Sequence, residues 1–398
     1  MTGVFAARVG FFFAGCTCQS VPAPPECSRA AQAQTMNILL FFAGLVLLVL
    51  GSSLLVRGAS KLALSFGISP LVVGLTIVAF GTSAPEVAVS VGAVLDGKTD
   101  LAIGNVVGSN IFNVLFILGI SALITPLVVN IQLIRQEVPI MIGASVLLLA
   151  LGLDGRIGLY DGALLFALMI AYTVFLIVQS RRETQAAQVE LAAEVAPAVK
   201  GAWDDSLPAQ IGLIAAGLVA LVFGSDWLVT ASIAFAKAMG VSDLVIGLTI
   251  VAAGTSMPEV ATSITAALKG ERDIAVGNVV GSNTFNILGC LGISGMVSGL
   301  VPGQLGLPMA QSLMAFDIWV MLAVALACAP VFLTGREIAR WEGAVFVLYY
   351  VAYVAFLILS AQQHDALSSF SNVMLSFVVP ITVITLVVMM VRKKATSP

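Results

Sequence analysis

Along most of this chain the apolar residues neither alternate nor gather on one helical face. They run on for about 20 residues at a time, the length of helix that crosses roughly 30 Å of hydrocarbon. From Asn37 onward eleven such runs follow one another between short polar breaks. They lie at about 37 to 60, 70 to 95, 101 to 125, 137 to 153, 159 to 180, 210 to 233, 243 to 268, 274 to 299, 312 to 334, 343 to 361 and 370 to 391. The pattern predicts an all-α polytopic membrane protein. The long polar insert, Arg181 to Pro208, carries Arg181, Arg182, Glu183, Glu190, Glu194, Asp204 and Asp205 among alanines and glutamines. It reads as a partly helical, solvated connector between two halves.

The halves repeat each other. Gly74 to Asn113 returns as Gly247 to Asn286, shifted by 173 positions, and about 26 of the 37 residues up to the shared Gly-Ser-Asn are identical. Leu50 to Val56 matches Phe223 to Val229 at the same offset, which lengthens downstream to about 180, where Glu137 aligns with Asp317 and Asp161-Gly162 with Glu342-Gly343. Each half then holds five spans. An odd number forces the second half into the membrane upside down, the inverted-repeat plan of many secondary transporters. The expected organisation is an N-terminal extension over 1–36, a first repeat over 37–180, a cytoplasmic linker over 181–209, a second repeat over 210–361, and an extra helix over 370–391 outside the symmetry.

Composition agrees with the pattern. The chain is 59% apolar and 10% charged, where soluble domains are roughly a quarter charged. The net charge of -3 comes from few residues, mostly in loops, and points to no nucleic-acid partner. With the N-terminus outside, one side of the membrane receives Arg57, Lys61, Arg135, Arg181, Arg182, Lys200, Lys269, Arg272, Arg336, Arg340, Arg392, Lys393 and Lys394. The other receives Lys98, Arg156, Lys237 and whatever the first 35 residues contribute. That asymmetry marks the first side as cytoplasmic, with the C-terminus inside. Cys16, Cys18 and Cys27 cluster ahead of Met36, near a short apolar run and a Pro-Ala-Pro-Pro stretch. A lipoprotein-like signal, a cleaved signal peptide and an upstream extension all fit; the brevity of the run favours the extension, with Met36 as the folded start.

The chemistry is concentrated in the repeated stretch. Each copy puts one carboxylate, Glu86 or Glu259, into a segment apolar enough for a bilayer, where a charge is costly and by default functional. In Gly81-Thr82-Ser83-Ala84-Pro85-Glu86, proline removes a backbone donor and disfavours helix at the residue before it. The helix should break there and restart at Pro85, and Gly254-Thr255-Ser256-Met257-Pro258-Glu259 should behave likewise. Broken backbone survives in a bilayer only when buried or lining a cavity.

Thr82, Glu86 and Ser90 follow at spacings of four, as do Asn105, Ser109 and Asn113 in the next span. Such spacings place oxygens on one helix face. Their counterparts are Thr255, Glu259, Ser263, Asn278, Ser282 and Asn286. Two carboxylates among hydroxyl and amide oxygens suit a hard cation such as calcium or sodium, and are wrong for zinc or copper. Ser90, Ser263, Asn110 and Asn283 read equally well as inter-helix bridges. Glu137, Asp161, Asp317 and Glu342 read as structural anions at helix N-termini, and Asp226 as a helix-end or inter-helix hydrogen bonder.

On these doubled motifs, with Gly108-Ser109-Asn110-Ile111-Phe112-Asn113 and its second copy, the sequence resembles the cation/calcium exchanger superfamily, in particular its prokaryotic sodium/calcium exchanger branch. The resemblance covers roughly residues 37 to 360. It implies ten core helices in two inverted five-helix repeats, with the ion site between helices two, three, seven and eight. It also implies Glu86 and Glu259 as central calcium ligands, helped by Thr82, Thr255, the backbone near Ala79 and Ala252, Ser83, Ser256, Ser109, Ser282 and Asn113. One position departs: where sodium/calcium exchangers carry an aspartate in the second repeat, this chain has Asn286. Two formal charges neutralise one calcium or two sodium ions, although a neutral oxygen cage can still accept a third sodium.

The expectation is therefore an inner-membrane antiporter, not an enzyme, that expels calcium against sodium by alternating access. Calcium, sodium and the lipid bilayer are its partners; no cofactor beyond the transported ions is implied, and no protein partner. Proton/calcium exchange on the same scaffold remains the alternative, disfavoured by the scarcity of intramembrane acids beyond the two glutamates. A channel fits inverted repeats with broken helices less well. An intramembrane hydrolase would need a catalytic serine or metal with a histidine, or facing aspartates, and the one histidine, His364, lies in a terminal loop.

Overall fold

The computed structural model describes residues 25–194, 204, 206–240, 250 and 252–394. Within them the chain is helical almost throughout, and nine helices are long and apolar enough to cross a membrane. A tenth span is the bent pair α2 (Pro70–Thr82) and α3 (Ala84–Leu95), which meet at 41°. The break falls where the sequence places it. Ser83 leaves helical geometry, and Pro85, which has no N–H to lose, lies in the first turn of α3. The seventh run, about 243 to 268, is described mainly in its second part, which holds α8 below; most of its start lies outside the described residues.

The remaining helices are α1 (Pro25–Phe66), α4 (Thr99–Ile124), α5 (Leu133–Asp154), α6 (Leu159–Glu194), α7 (Leu207–Ala238), α8 (Met257–Leu268), α9 (Arg272–Leu300), α10 (Leu313–Leu333) and α11 (Arg340–Ala361). The last, α12, starts at Ala366 and stays helical to Lys394. Helix α1 thus begins ahead of Met36, and α6 runs on into the expected linker.

Burial sorts the helices into core and rim. The apolar stretch of α9 is wholly buried, that of α4 mostly so, and that of α12 not at all. Helices α1 and α7 cross with backbones nearly touching. A Cβ on Gly44 would lie 2.8 Å from the Gly224 carbonyl oxygen, and one on Gly217 would lie 2.7 Å from that of Gly51. Only glycine lets the pair approach so closely.

Two short antiparallel strand pairs tie the halves together. Leu127–Val128, after α4, pairs with Glu337–Ile338 ahead of α11, and Arg156–Ile157, ahead of α6, pairs with Leu307–Pro308 after α9. Each half therefore completes the backbone hydrogen bonding of the other.

Candidate functional site

The two glutamates stand in the first turns of α3 and α8, directly after the broken segments, and both are fully buried. Each is held by the serine that precedes the other. Ser256 Oγ donates to Glu86 Oε1 at 2.8 Å, and Ser83 Oγ donates to Glu259 Oε1 at 2.8 Å. The broken segments place these serines: a helix continuing through Ser83 would turn its hydroxyl back onto its own backbone.

The threonines and asparagines around the glutamates repeat the crossing. Thr82 Oγ1 donates to Asn278 Oδ1 at 3.1 Å and Thr255 Oγ1 to Asn105 Oδ1 at 3.3 Å. The asparagines in turn donate to the serines one turn beyond the glutamates, Asn105 to Ser90 at 3.1 Å and Asn278 to Ser263 at 2.9 Å. Ser109 Oγ lies 3.2 Å from Ser256 Oγ, whereas Ser282 Oγ reaches Glu259 Oε1 at 3.5 Å. The Ala79 carbonyl accepts from Ser83 N at 3.0 Å and from Thr82 Oγ1 at 3.3 Å, so it already carries two protein donors. Ala252 opens the short helical turn Ala252–Gly254 before the second break.

Across the centre, α4 and α9 are clamped by a reciprocal asparagine pair. Asn110 Nδ2 donates to the Asn283 carbonyl and Asn283 Nδ2 to the Asn110 carbonyl, both at 3.2 Å. Their side-chain oxygens receive Asn286 Nδ2 at 3.1 Å and Asn113 Nδ2 at 3.0 Å. This engages the amide nitrogens of Asn113 and Asn286 and leaves their oxygens to point elsewhere. Each of these asparagines opens a π-helical stretch, Asn113–Leu118 and Asn286–Cys290, the wide turn that often marks a functional site.

Among the buried oxygens without a hydrogen-bond partner are four at this site: Glu86 Oε2, Glu259 Oε2, Asn113 Oδ1 and Asn286 Oδ1. They form a twofold set, two carboxylate and two amide oxygens, and the ion pairs among the described residues lie elsewhere, at Asp204. Buried acceptors are costly to leave unpaired. Oxygen donors alone, two of them from carboxyl groups, suit a hard cation.

Several sequence expectations change. Ser90, Ser263, Asn110 and Asn283 are bridges, each engaged by protein groups. Asp161 and Glu342 are helix-start anions, accepting Gly158 N and Ala339 N at 2.8 Å each. Glu137 and Asp317 are not: they lie within the spans α5 and α10 and take hydrogen bonds from the Tyr172 and Tyr353 hydroxyls at 2.7 and 2.9 Å. Two more acids thus lie within candidate spans, near their starts, which weakens the argument from scarcity. Asp226 is exposed on α7 and forms no hydrogen bond among the described residues. Sequence spacing missed Cys290, whose thiol donates to the Glu86 carbonyl at 3.4 Å from another half of the chain.

A profile of the family described as sodium/calcium exchanger protein matches residues 36–178 and 209–359. The sodium/calcium exchanger MaX1 of Methanosarcina acetivorans is 34% identical over 352 residues, covering 81% of this chain and 99% of that protein. The inner membrane protein YrbG of Escherichia coli is 37% identical over 290 residues, covering 73% of this chain and 86% of its own length. The solved structure of the sodium-calcium exchanger NCX_Mj soaked with 2.5 mM Na+ and 0.1 mM Ca2+ superposes with a TM-score of 0.67 at 29% identity, over 80% of this chain and 97% of that one.

Proposed function

The chain belongs to the sodium/calcium exchanger family and is a cation/calcium antiporter of a membrane, and we propose that it exports calcium in exchange for sodium through one site shared by the two ions. The observation that supports this reading is the set of four buried, unpartnered oxygens of Glu86, Glu259, Asn113 and Asn286. Thr82, Thr255, Ser83, Ser256, Ser109 and Ser282 hold those groups in place or complete the ligand shell as the ion moves. Two carboxylates match the charge of one calcium ion or of two sodium ions, so either load neutralises the site and lets the surrounding helices rearrange. An empty site keeps two buried charges, and crossing the apolar barrier in that state is expensive. This is what enforces exchange rather than leak.

The same family scaffold can be driven by protons. Any proton that binds Glu86 or Glu259 displaces the cation, and Glu137 and Asp317 supply further acids in the spans. Proton coupling is therefore the second reading. In the orientation we propose, the basic loops, the linker and the C-terminus face the cytoplasm of an inner membrane.

Radiocalcium uptake into proteoliposomes distinguishes the two. The expected result is uptake driven by an outward sodium gradient and lost in Glu86→Gln. Uptake driven by a pH gradient and indifferent to sodium would replace sodium by the proton as the coupling ion.

A further inference from the structure

Helix α12 lies beyond the residues that the family profile matches, and its contact with the rest of the protein is sparse. Tyr349 of α11 bonds the Thr382 hydroxyl at 2.7 Å and the Val378 carbonyl at 3.4 Å, both on α12. Around that polar tether, α10, α11 and α12 enclose a cavity of about 740 Å³, within the roughly 300–1,000 Å³ of sites that hold one organic ligand. It is a long slot. Its α10 wall extends from Ala315 to Val331, about 24 Å at roughly 1.5 Å per residue.

The wall is hydrocarbon and aromatic ring. Of the polar groups that line it, the Tyr349 hydroxyl is engaged by Thr382, the Tyr353 hydroxyl by Asp317, the Thr385 hydroxyl by the Ile381 carbonyl, and Glu342 by the Ala339 N–H. Water needs two to four polar partners to occupy a cavity, and the apolar side chains that make up most of this wall offer none. In a bilayer, an acyl chain is the available filler.

The two ends of the slot differ in charge. At one end Arg336, Glu337 and Arg340 are exposed beside the start of α11, whose Glu342 lines the slot, and α12 finishes on Arg392, Lys393 and Lys394, so that five basic residues meet two acids. At the other end the α11–α12 connection is Gln362, Gln363, His364 and Asp365, without a lysine or arginine. We propose that this slot is a binding site for an anionic phospholipid, one acyl chain lying between α10, α11 and α12 and the phosphate at the basic end. The lipid makes up the packing that α12 lacks. Basic residues beside an apolar groove at a membrane surface are what such headgroups bind.

Trp319 and Trp341 line the slot and serve as reporters. The full chain carrying Trp203→Phe and Trp227→Phe is reconstituted in vesicles of brominated phosphatidylcholine, which quenches tryptophan on contact. Unbrominated phosphatidylglycerol or unbrominated phosphatidylcholine is then added. The expected result is recovery with phosphatidylglycerol well ahead of its mole fraction, and recovery with phosphatidylcholine only in proportion to it. Ala323→Phe, which fills the slot, should bring the phosphatidylglycerol curve down onto the phosphatidylcholine curve. The pair Arg336→Gln and Arg340→Gln should raise the phosphatidylglycerol needed for half recovery on the order of tenfold. Coincident curves in the parent protein would overturn the proposal, as would an unchanged preference in the arginine pair. Tryptophans that bromine never quenches would overturn it in favour of a second copy of the chain covering the slot.

Discussion

The Thr82–Asn278 and Thr255–Asn105 contacts are one interaction written twice, yet they stand in different surroundings. Thr82 and Asn278 are fully buried; Thr255 and Asn105 are half-buried. On the buried side, Gly277 and Gly281 of α9 bring the backbone onto α2, a Cβ at Gly281 falling 2.7 Å from the Leu75 carbonyl oxygen. By the 173-residue repeat, the stretch that would face Gly104 and Gly108, their counterparts on α4, is 244–252, most of which lies outside the described residues. Nearly identical sequence thus yields one fully buried and one half-buried copy of the same contact.

The most severe test of the equivalence of the halves is to neutralise one carboxylate at a time. Glu86→Gln and Glu259→Gln should each abolish calcium transport with folded protein still in the membrane, because a buried charge partner is worth about 3–5 kcal/mol, a hundredfold or more in affinity. Measurable transport in either variant alone would break the symmetry of the site. A smaller effect is expected from the cross-bracing serines. Ser83→Ala and Ser256→Ala each remove a hydrogen bond to a carboxylate, about 1.5–3 kcal/mol, and should raise the calcium concentration for half-maximal uptake roughly ten- to a hundredfold in both cases. Unequal losses would show that one glutamate carries more of the ion than its twin.

The difference in burial gives a third test. Thr255→Cys should react with a charged thiol reagent supplied on the side of Lys98 and Arg156, while Thr82→Cys stays protected; equal labelling would mean that both flanks open. The smallest effect is expected outside the membrane. Asp204 accepts from Arg57 Nε at 2.7 Å, and that hydrogen bond holds its carboxyl below the usual carboxylate range. A group so depressed adds stability above its unfolded pKa and loses it as pH falls through the folded one. Asp204→Asn should therefore lower the melting temperature slightly at pH 7 and not at all in strong acid; a difference that persists in acid would assign the effect to packing.

Much of the site is legible in the sequence because its parts are local. Proline and glycine mark the break, spacing by four lines up Thr82, Glu86 and Ser90, and repetition at 173 residues marks Glu259 as the twin of Glu86. What spacing cannot reveal is which half each side chain turns toward. Ser83 precedes Glu86 by three residues and bonds Glu259 instead. The Asn110–Asn283 clamp is invisible for the same reason, since its partners are related only by the fold. Glu137 and Asp317 read as helix-start anions because their tyrosines lie 35 and 36 residues downstream, on the following span.

The crossing of Ser256 onto Glu86 also bears on how the protein is made. The two residues are 170 positions apart, and at about 5–20 residues per second the first glutamate waits roughly 10–30 s in the membrane before its partner is synthesised. Through that interval the nascent first half carries an unbraced acid and unpaired strands at Leu127–Val128 and Arg156–Ile157. Expressed as separate fragments, the halves should be short-lived alone and stabilise each other when produced together.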